Sequence, residues 1–295
     1  MADFTSLDGY NVRDDNALRK DNPTGTGALS LNRKSGTTVG DGSCATGYNG
    51  EASGNWSHVE GRNCKATGIN SHAQGGGTEA SGLASHAEGN SSVASGENSH
   101  AEGNNTKAQG NGSHSEGLNT IASGIYSHAE GASTTASGKY SHAEGEGANA
   151  THLAQHVFGQ YNINDPSANA STQRGDYAEI VGNGTSFTNK SNARTLDWSG
   201  NEVIAGTLTQ NSDGRLKNIL PDNVPDLSEV MAHVFKWNDD FHDDNKHVGY
   251  IAQDIEAIAP YLVREDNGIK SLDYIAVLVA KIAYLEKRVA DLENR

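Results

Sequence analysis

The chain has few of the side chains from which a conventional core is built. Aromatic residues make up 6% of its 295 residues, with 3 tryptophans and 5 phenylalanines. That argues against an ordinary globular enzyme of this length. Basic excess is also missing: 22 Lys and Arg stand against 37 Asp and Glu, for a net charge of −15. Such a balance speaks against nucleic acid or an anionic membrane as a partner. No apolar run is long enough to span a bilayer, and Met1–Tyr10 has no signal-peptide pattern, so neither insertion nor export is expected. The 2 cysteines, Cys44 and Cys64, fall at different places in the repeat and imply no disulfide framework; both are read as free thiols.

What the chain has is glycine, 35 residues of it, and a 14-residue period. The phrase Ser57-His58-Val59-Glu60-Gly61 returns as Ser71-His72-Ala73-Gln74-Gly75 and Ser85-His86-Ala87-Glu88-Gly89, then again from Ser99, Ser113, Ser127 and Ser141. A second small-residue phrase falls midway, as at Ala80-Ser81-Gly82 and Ala122-Ser123-Gly124. Leu29 and Ser43 open two degenerate blocks, so the array covers 29–154. A strict period of this kind predicts stacked structural units, each turn made of two short strands and two tight turns. Strand alternation puts Ser, Ala and Gly of the phrase on one face and His and Glu on the other. A bore lined by Ala, Ser and Gly is narrow and buries little apolar surface, which calls for partner chains, most simply in a closed symmetric oligomer.

Around the array, 1–28 reads as a polar attachment or capping segment, and 155–212 as the roll cap and a β-rich neck with strands from three chains. Strands are expected at Tyr177–Val181, Ala193–Trp198 and Glu202–Thr209, and a loop at Asp165–Thr172. Residues 213–295 have ordinary globular composition. A helix is expected over Pro225–Phe235 from the spacing of Leu227, Val230, Met231 and Val234. A strand is expected at His247–Ala252 and a helix through Gln253–Ala259. Asp273–Arg295 reads as one long helix with a heptad seam of Ile275, Leu278, Ile282, Leu285, Val289 and Leu292. Ile and Val alternating with Leu on that seam favour two strands, so the roll, not the helix, sets the expected threefold state. Asp239-Asp240 and Asp243-Asp244 read as a solvated loop.

The repeat resembles the head repeat of trimeric autotransporter adhesins, commonly Ser-Val-Ala-Ile-Gly, with His and Glu here in the Val and Ile slots. The Ser-His-Ala-Glu-Gly form is also similar to repeats of phage and prophage tail fibres. The resemblance implies a mainly β fold: a homotrimeric left-handed parallel β-roll whose His and Glu slots face the trimer interior. It thus implies an inter-chain ladder of His58, His72, His86, His100, His114, His128 and His142 with Glu60, Glu88, Glu102, Glu116, Glu130 and Glu144. Cys44 stands in a His slot. His-x-Glu on one strand face can also supply metal ligands. A motif repeated seven times reads as a structural hydrogen-bond ladder, so no metal and no cofactor are expected. If His and Glu pair across chains, the His pKa rises, the Glu pKa falls, and stability peaks between the two titrations.

The C-terminal segment resembles the intramolecular chaperone of endosialidases (peptidase family S74). The residues that support this are Ser212-Asp213-Gly214-Arg215-Leu216-Lys217, then Val248-Gly249-Tyr250-Ile251-Ala252-Gln253-Asp254, then the terminal helix. The resemblance implies a small α+β domain ending in a coiled coil, which trimerises, assists folding of a β-rich fibre, and is released by one self-cleavage between Ser212 and Asp213. Ser212 and Lys217 would form the serine–lysine dyad, with no external substrate. The expected role is a phage tail-fibre or receptor-binding protein of the virion tail. Its partners would be its own copies, other tail or baseplate proteins at the N-terminus, and a glycan or protein receptor on the host. A bacterial surface adhesin and a polysaccharide-degrading tailspike are the alternatives. The missing export signal counts against the first, and the absence of a paired-carboxylate cleft against the second.

Overall fold

Each repeat becomes one rung of a β-solenoid. The computed structural model describes residues 34, 36–209, 212–213, 215, 217–220, 223–238 and 245–294, with the backbone of the strands at 6–7, 10–11 and 29–30. The described chain divides into two compact units, Met1–Leu208 and Thr209–Arg295, a few residues before the expected division at 212/213.

In the first unit two sheets run along the solenoid. The His-bearing phrase supplies eight strands of a thirteen-stranded sheet, and the midway phrase builds an eight-stranded sheet of two-residue strands. Within the rungs both sheets are parallel and in register at an offset of one repeat, so His86 opposes His100 and Ala87 opposes Ala101, while Ala94 opposes Ala108. The core between them is minimal. Ala73, Ala80, Ala87, Ala94, Ala101 and Ala108 are all fully buried, two methyls per turn. Buried hydroxyls fill the corners and donate to main-chain carbonyls: Ser71 Oγ to Gly68 O at 2.7 Å, Ser99 Oγ to Gly96 O at 2.7 Å, Thr120 Oγ1 to Glu116 O at 3.1 Å. These three sit in the interior without an orphaned oxygen, whereas Ser57 Oγ and Ser113 Oγ are buried with no partner within the chain.

Ser and Ala do point inward, but the glycine of the phrase does not share their face. Gly103 is exposed, with φ of +112°, where the strand turns a corner. An added Cβ would lie 2.2 Å from the carbonyl oxygen of Gly117 on the next rung. Positive φ and close stacking together demand glycine there. At the neighbouring turns Asn63, Asn70, Asn98, Asn105 and Asn119 take the left-handed conformation that asparagine tolerates.

The period does not break at Gln155 in this sheet. His156–Gln160 forms one more parallel strand beside His142–Ala143, and it also pairs in parallel with Tyr177–Asn183. Asn192–Asp197 and Glu202–Ile204 then add antiparallel strands. The expected neck strands thus pair within one chain, and the last of them is shorter than expected. Buried Asp165 closes this end. Its carboxylate accepts from the amides of Ser167, Asp176 and Tyr177 at 2.9–3.0 Å and from Gln155 Nε2 at 2.9 Å.

The second unit packs around Leu227, Val230, Ile255, Ala259, Leu262, Val277 and Ala280. His233–Phe235 pairs antiparallel with His247–Gly249, and Val263–Asp266 with Ile269–Leu272. Helix α1 spans Ala252–Glu256 and helix α2 spans Tyr274–Glu293. Asp273 caps α2, its carboxylate accepting from Ala276 N at 3.0 Å. The helix expected over Pro225–Phe235 does not form. Leu227 and Val230 are buried from a single turn, while Met231 and Val234 are 68% exposed. One apolar turn is too little to nucleate a helix, and the β-prone His-Val-Phe run finds a strand partner instead. Among the described residues no helix is long and apolar enough to cross a membrane.

Candidate functional site: the cleavage junction and the ladder

Two places gather the residues that the sequence singles out. At the start of the second unit, Lys217 Nζ donates to Ser212 Oγ at 2.8 Å. The pair expected from the motif thus meets within one chain. Asp213 lies between them in sequence and is held by Arg215. The amide of Arg215 donates to Asp213 Oδ1 at 2.9 Å, and its guanidinium donates to both carboxylate oxygens at 2.5–3.1 Å. The Arg215 side chain, and then its amide, hold the Asp213 carboxyl below the usual carboxylate range. All four residues are solvent-exposed in the single chain. Gly214 and Leu216 of the motif lie outside the described residues, as do Asp239, Asp240, Asp243 and Asp244.

The second motif docks α2. Gly249 is buried where a Cβ would meet the Tyr274 hydroxyl at 2.3 Å. The next amide, Tyr250 N, donates to that hydroxyl at 3.2 Å. Lys281, further along α2, donates to Val230 O at 2.5 Å and lies over the Tyr250 ring at 5.2 Å. The helix therefore has two working faces. Val277 and Ala280 enter the core of the unit, while Ile275, Leu278, Ile282, Leu285, Val289 and Leu292 are each 47–58% exposed. The heptad seam is open.

On the solenoid, the histidines form a continuous column within one chain. Rings from His58 to His156 stack at centroid distances of 4.7–5.0 Å and interplanar angles of 4–13°. His156 is an eighth member beyond the expected seven, and one more step of fourteen from His142 points to it. Cys44 occupies the rung before His58, and both cysteines are free, Cys64 buried.

The glutamates run alongside, with Glu88, Glu102 and Glu116 in register. Gln74 replaces one of them and donates to Glu88 at 2.8 Å. His–Glu contacts such as His142 to Glu130 at 3.4 Å and His86 to Glu88 at 3.8 Å are too long for good hydrogen bonds. The Nε2 atoms of His72, His86, His100, His114, His128, His142 and His156 are shielded from solvent and have no hydrogen-bond partner within the chain. Burial, and after it the neighbouring rings, push the pKa of His72, His86, His114 and His156 below the ordinary histidine value. The raised value expected from pairing across chains has no counterpart within one chain. Loss of hydration outweighs the nearby glutamates.

Comparison with known proteins bears on the junction. A family model described as chaperone of endosialidase, peptidase S74, matches residues 212–264. The match begins at Ser212, encloses both motifs and ends before α2. Together with the solenoid of 14-residue repeats, it fits a tail-fibre protein with a C-terminal chaperone domain of that family. A search of curated proteins finds no match.

Proposed function

We propose that the chain is a homotrimeric tail-fibre protein that binds a receptor on the host surface and matures by one self-cleavage at Ser212–Asp213. The observation that carries the reading is the 2.8 Å contact of Lys217 Nζ with Ser212 Oγ at the first residue of the family match. The open seam of α2 supports association of chains, because six exposed apolar residues on one helix face need a partner helix, while the threefold number rests on the roll. Contacts between chains of a β-fibre are non-local and slow to form. A C-terminal coiled coil brings three chains together first and raises their effective concentration. Cleavage then removes the device and leaves the fibre kinetically trapped. The N-terminal segment attaches to other tail or baseplate proteins, the receptor is a glycan or a surface protein, and the mature protein resides in the virion tail.

The chemistry follows from the pair. Lys217 acts as base only in its neutral form, and burial of the junction in the trimer supplies the desolvation that favours that form. Assembly and cutting are thereby coupled. Ser212 cannot attack its own carbonyl, since Oγ, Cβ, Cα and C would close a strained four-membered ring. Because Ser212 and Lys217 meet within one chain, the dyad of one chain attacks the Ser212–Asp213 bond of a neighbour. Oγ adds to the neighbour's carbonyl carbon, and Lys217 takes the hydroxyl proton and returns it to the leaving Asp213 amine. Water then hydrolyses the ester. Intact mass of the purified protein tests the reading, with two fragments split at 212/213 expected. Sedimentation should give three chains for the 1–212 product. A single full-length mass after assembly, or a folded monomer, would overturn it.

A further inference from the structure

The unpartnered Nε2 atoms of the histidine column face a column of carboxylates, and the two together have the composition of a metal site. Three non-overlapping sets recur along the solenoid: His100, Glu102 and His114; Glu116, His128 and Glu130; His142, Glu144 and His156. Within each set the ligand atoms lie within 4.8 Å of one another. Donors around a tetrahedral ion bound at about 2.0–2.1 Å sit roughly 3.3 Å apart, so each set must close by up to about 1.5 Å. The side chains have room for this: His100 and Glu102 are 37% and 35% exposed, and His142 and Glu130 are 35% and 32% exposed. Because the rings are parallel and each lone pair lies in its ring plane, one ring of each pair must turn to share an ion. No hydrogen bond of Nε2 is lost in doing so, since those atoms make none.

A second observation asks for a cation at the same place. Glu88, Glu102 and Glu116 stand in register on adjacent parallel strands, about 4.8 Å apart. Like charges placed directly opposite destabilise a sheet. One rung beyond Glu60 an uncharged donor, Gln74, takes the slot and meets the carboxylate of Glu88. The repeat thus places repelling carboxylates beside neutral nitrogen donors, rung after rung. We propose that the His/Glu column binds borderline divalent transition-metal ions, with Zn²⁺ as the reference ion, in these three His/Glu sets. Imidazole beside carboxylate suits Zn²⁺, Co²⁺ or Ni²⁺ and disfavours the all-oxygen preference of Ca²⁺ and Mg²⁺. Each set draws its three donors from one chain, so failure to take up metal would leave the cleavage and trimer reading standing.

The test uses the full chain without an affinity tag, stripped with chelator and titrated calorimetrically with ZnCl₂. Uptake of about three ions per chain is expected, with a higher melting temperature that chelator reverses. Co²⁺ should give visible absorption of nitrogen and oxygen ligation. Replacing His114→Gln, His128→Gln and His142→Gln together removes one donor from each set and should weaken uptake at least tenfold. Should that variant fail to fold, Glu102→Gln, Glu116→Gln and Glu144→Gln decide the matter, because glutamine already occupies that slot at Gln74. No uptake by the wild type, or unchanged uptake in the folded variant, would overturn the proposal, as would equal affinity for Ca²⁺.

Discussion

Replacing Gly103 by alanine tests whether the rungs are as tightly stacked as the structure requires. The backbone there has φ of +112°, and the new Cβ would lie 2.2 Å from Gly117 O and 2.9 Å from Gly117 N. Two costs add. An L side chain in the left-handed region costs about 1–2 kcal/mol. A methyl driven about 1 Å inside contact distance of a backbone that cannot swing away costs about another 1–3 kcal/mol, as in overpacked cores. The sum, about 2–5 kcal/mol, lowers the melting temperature of a unit this size by roughly 5–15 °C. Gly76→Ala is the control. It lies on the same sheet, its φ is not in the left-handed region, and its added Cβ would meet nothing nearer than Asn90 Nδ2 at 3.8 Å. That change should be neutral or stabilise by about 0.4–1 kcal/mol through the unfolded chain. Thermal melting of the full chain, followed by far-ultraviolet circular dichroism, compares the two. If Gly103→Ala melts with the wild type, or both variants lose stability equally, glycine spacing is not what fixes the rung distance.

The pH dependence has a definite sign. The folded-state pKa of His72, His86, His114 and His156 is lowered, chiefly by burial, so the folded chain binds fewer protons than the unfolded one. Their contribution is present above the unfolded value of about 6.5 and is lost as pH falls below it. Melting temperature should drop between about pH 7 and pH 5; a rise there would show that carboxylate pairing dominates instead. For the cleavage chemistry, wild-type chains are refolded with tagged chains bearing both Ser212→Ala and Lys217→Ala. Cutting of the tagged chain is expected, and an intact tagged chain in verified mixed trimers would rule out attack between chains. On the seam, Ile282→Asp and Leu285→Asp should abolish assembly of the full chain in sedimentation while leaving the second unit folded, since both residues are exposed. By contrast, Leu227→Ala, at a fully buried site, should destabilise that unit by about 2–5 kcal/mol, read from its denaturant midpoint.

The solenoid was legible because its signal is translational. A residue type that returns every fourteen positions must return at the same height on the next rung, and the same arithmetic leads to His156. What alternation missed was the corner. Gly103 lies within the strand His100–Asn104, but its positive φ takes it off the inner face. The second unit was harder because its contacts are not periodic. The 3-and-4 spacing of Leu227, Val230, Met231 and Val234 fits a helix face and equally a buried turn followed by a strand, and the pairing with His247–Gly249 decides between them. The hairpin of Val263–Asp266 and Ile269–Leu272 went unread although its turn was visible. Asn267-Gly268, with φ of +50° and +80°, is the dipeptide that such a turn prefers. At the junction, Ser212 and Lys217 were legible as a pair. The ion pair of Asp213 with Arg215 was not, because a motif states spacing and not which side chains face each other. The Asp165 cluster gathers residues up to twelve positions downstream and left no local pattern.

The sameness of the rungs has a consequence for how the chain finds its fold. The strand at His86 meets the one at His100 through the same His, Glu and Gly pairs by which His100 meets His114. A strand that skipped one rung and looped out fourteen residues would find nearly the same partner. Local pairing energy therefore measures height only modulo one repeat, and the array is degenerate to slippage. The irregular rungs break that degeneracy: Val59 in an alanine slot, Gln74 in a glutamate slot, Ser115 in another alanine slot, with Ser115 Oγ bonded to Thr120 Oγ1 at 2.8 Å. They act as fiducial marks on an otherwise unmarked ruler. The buried Asp165 network at one end serves as its zero, because it can form at only one place along the chain.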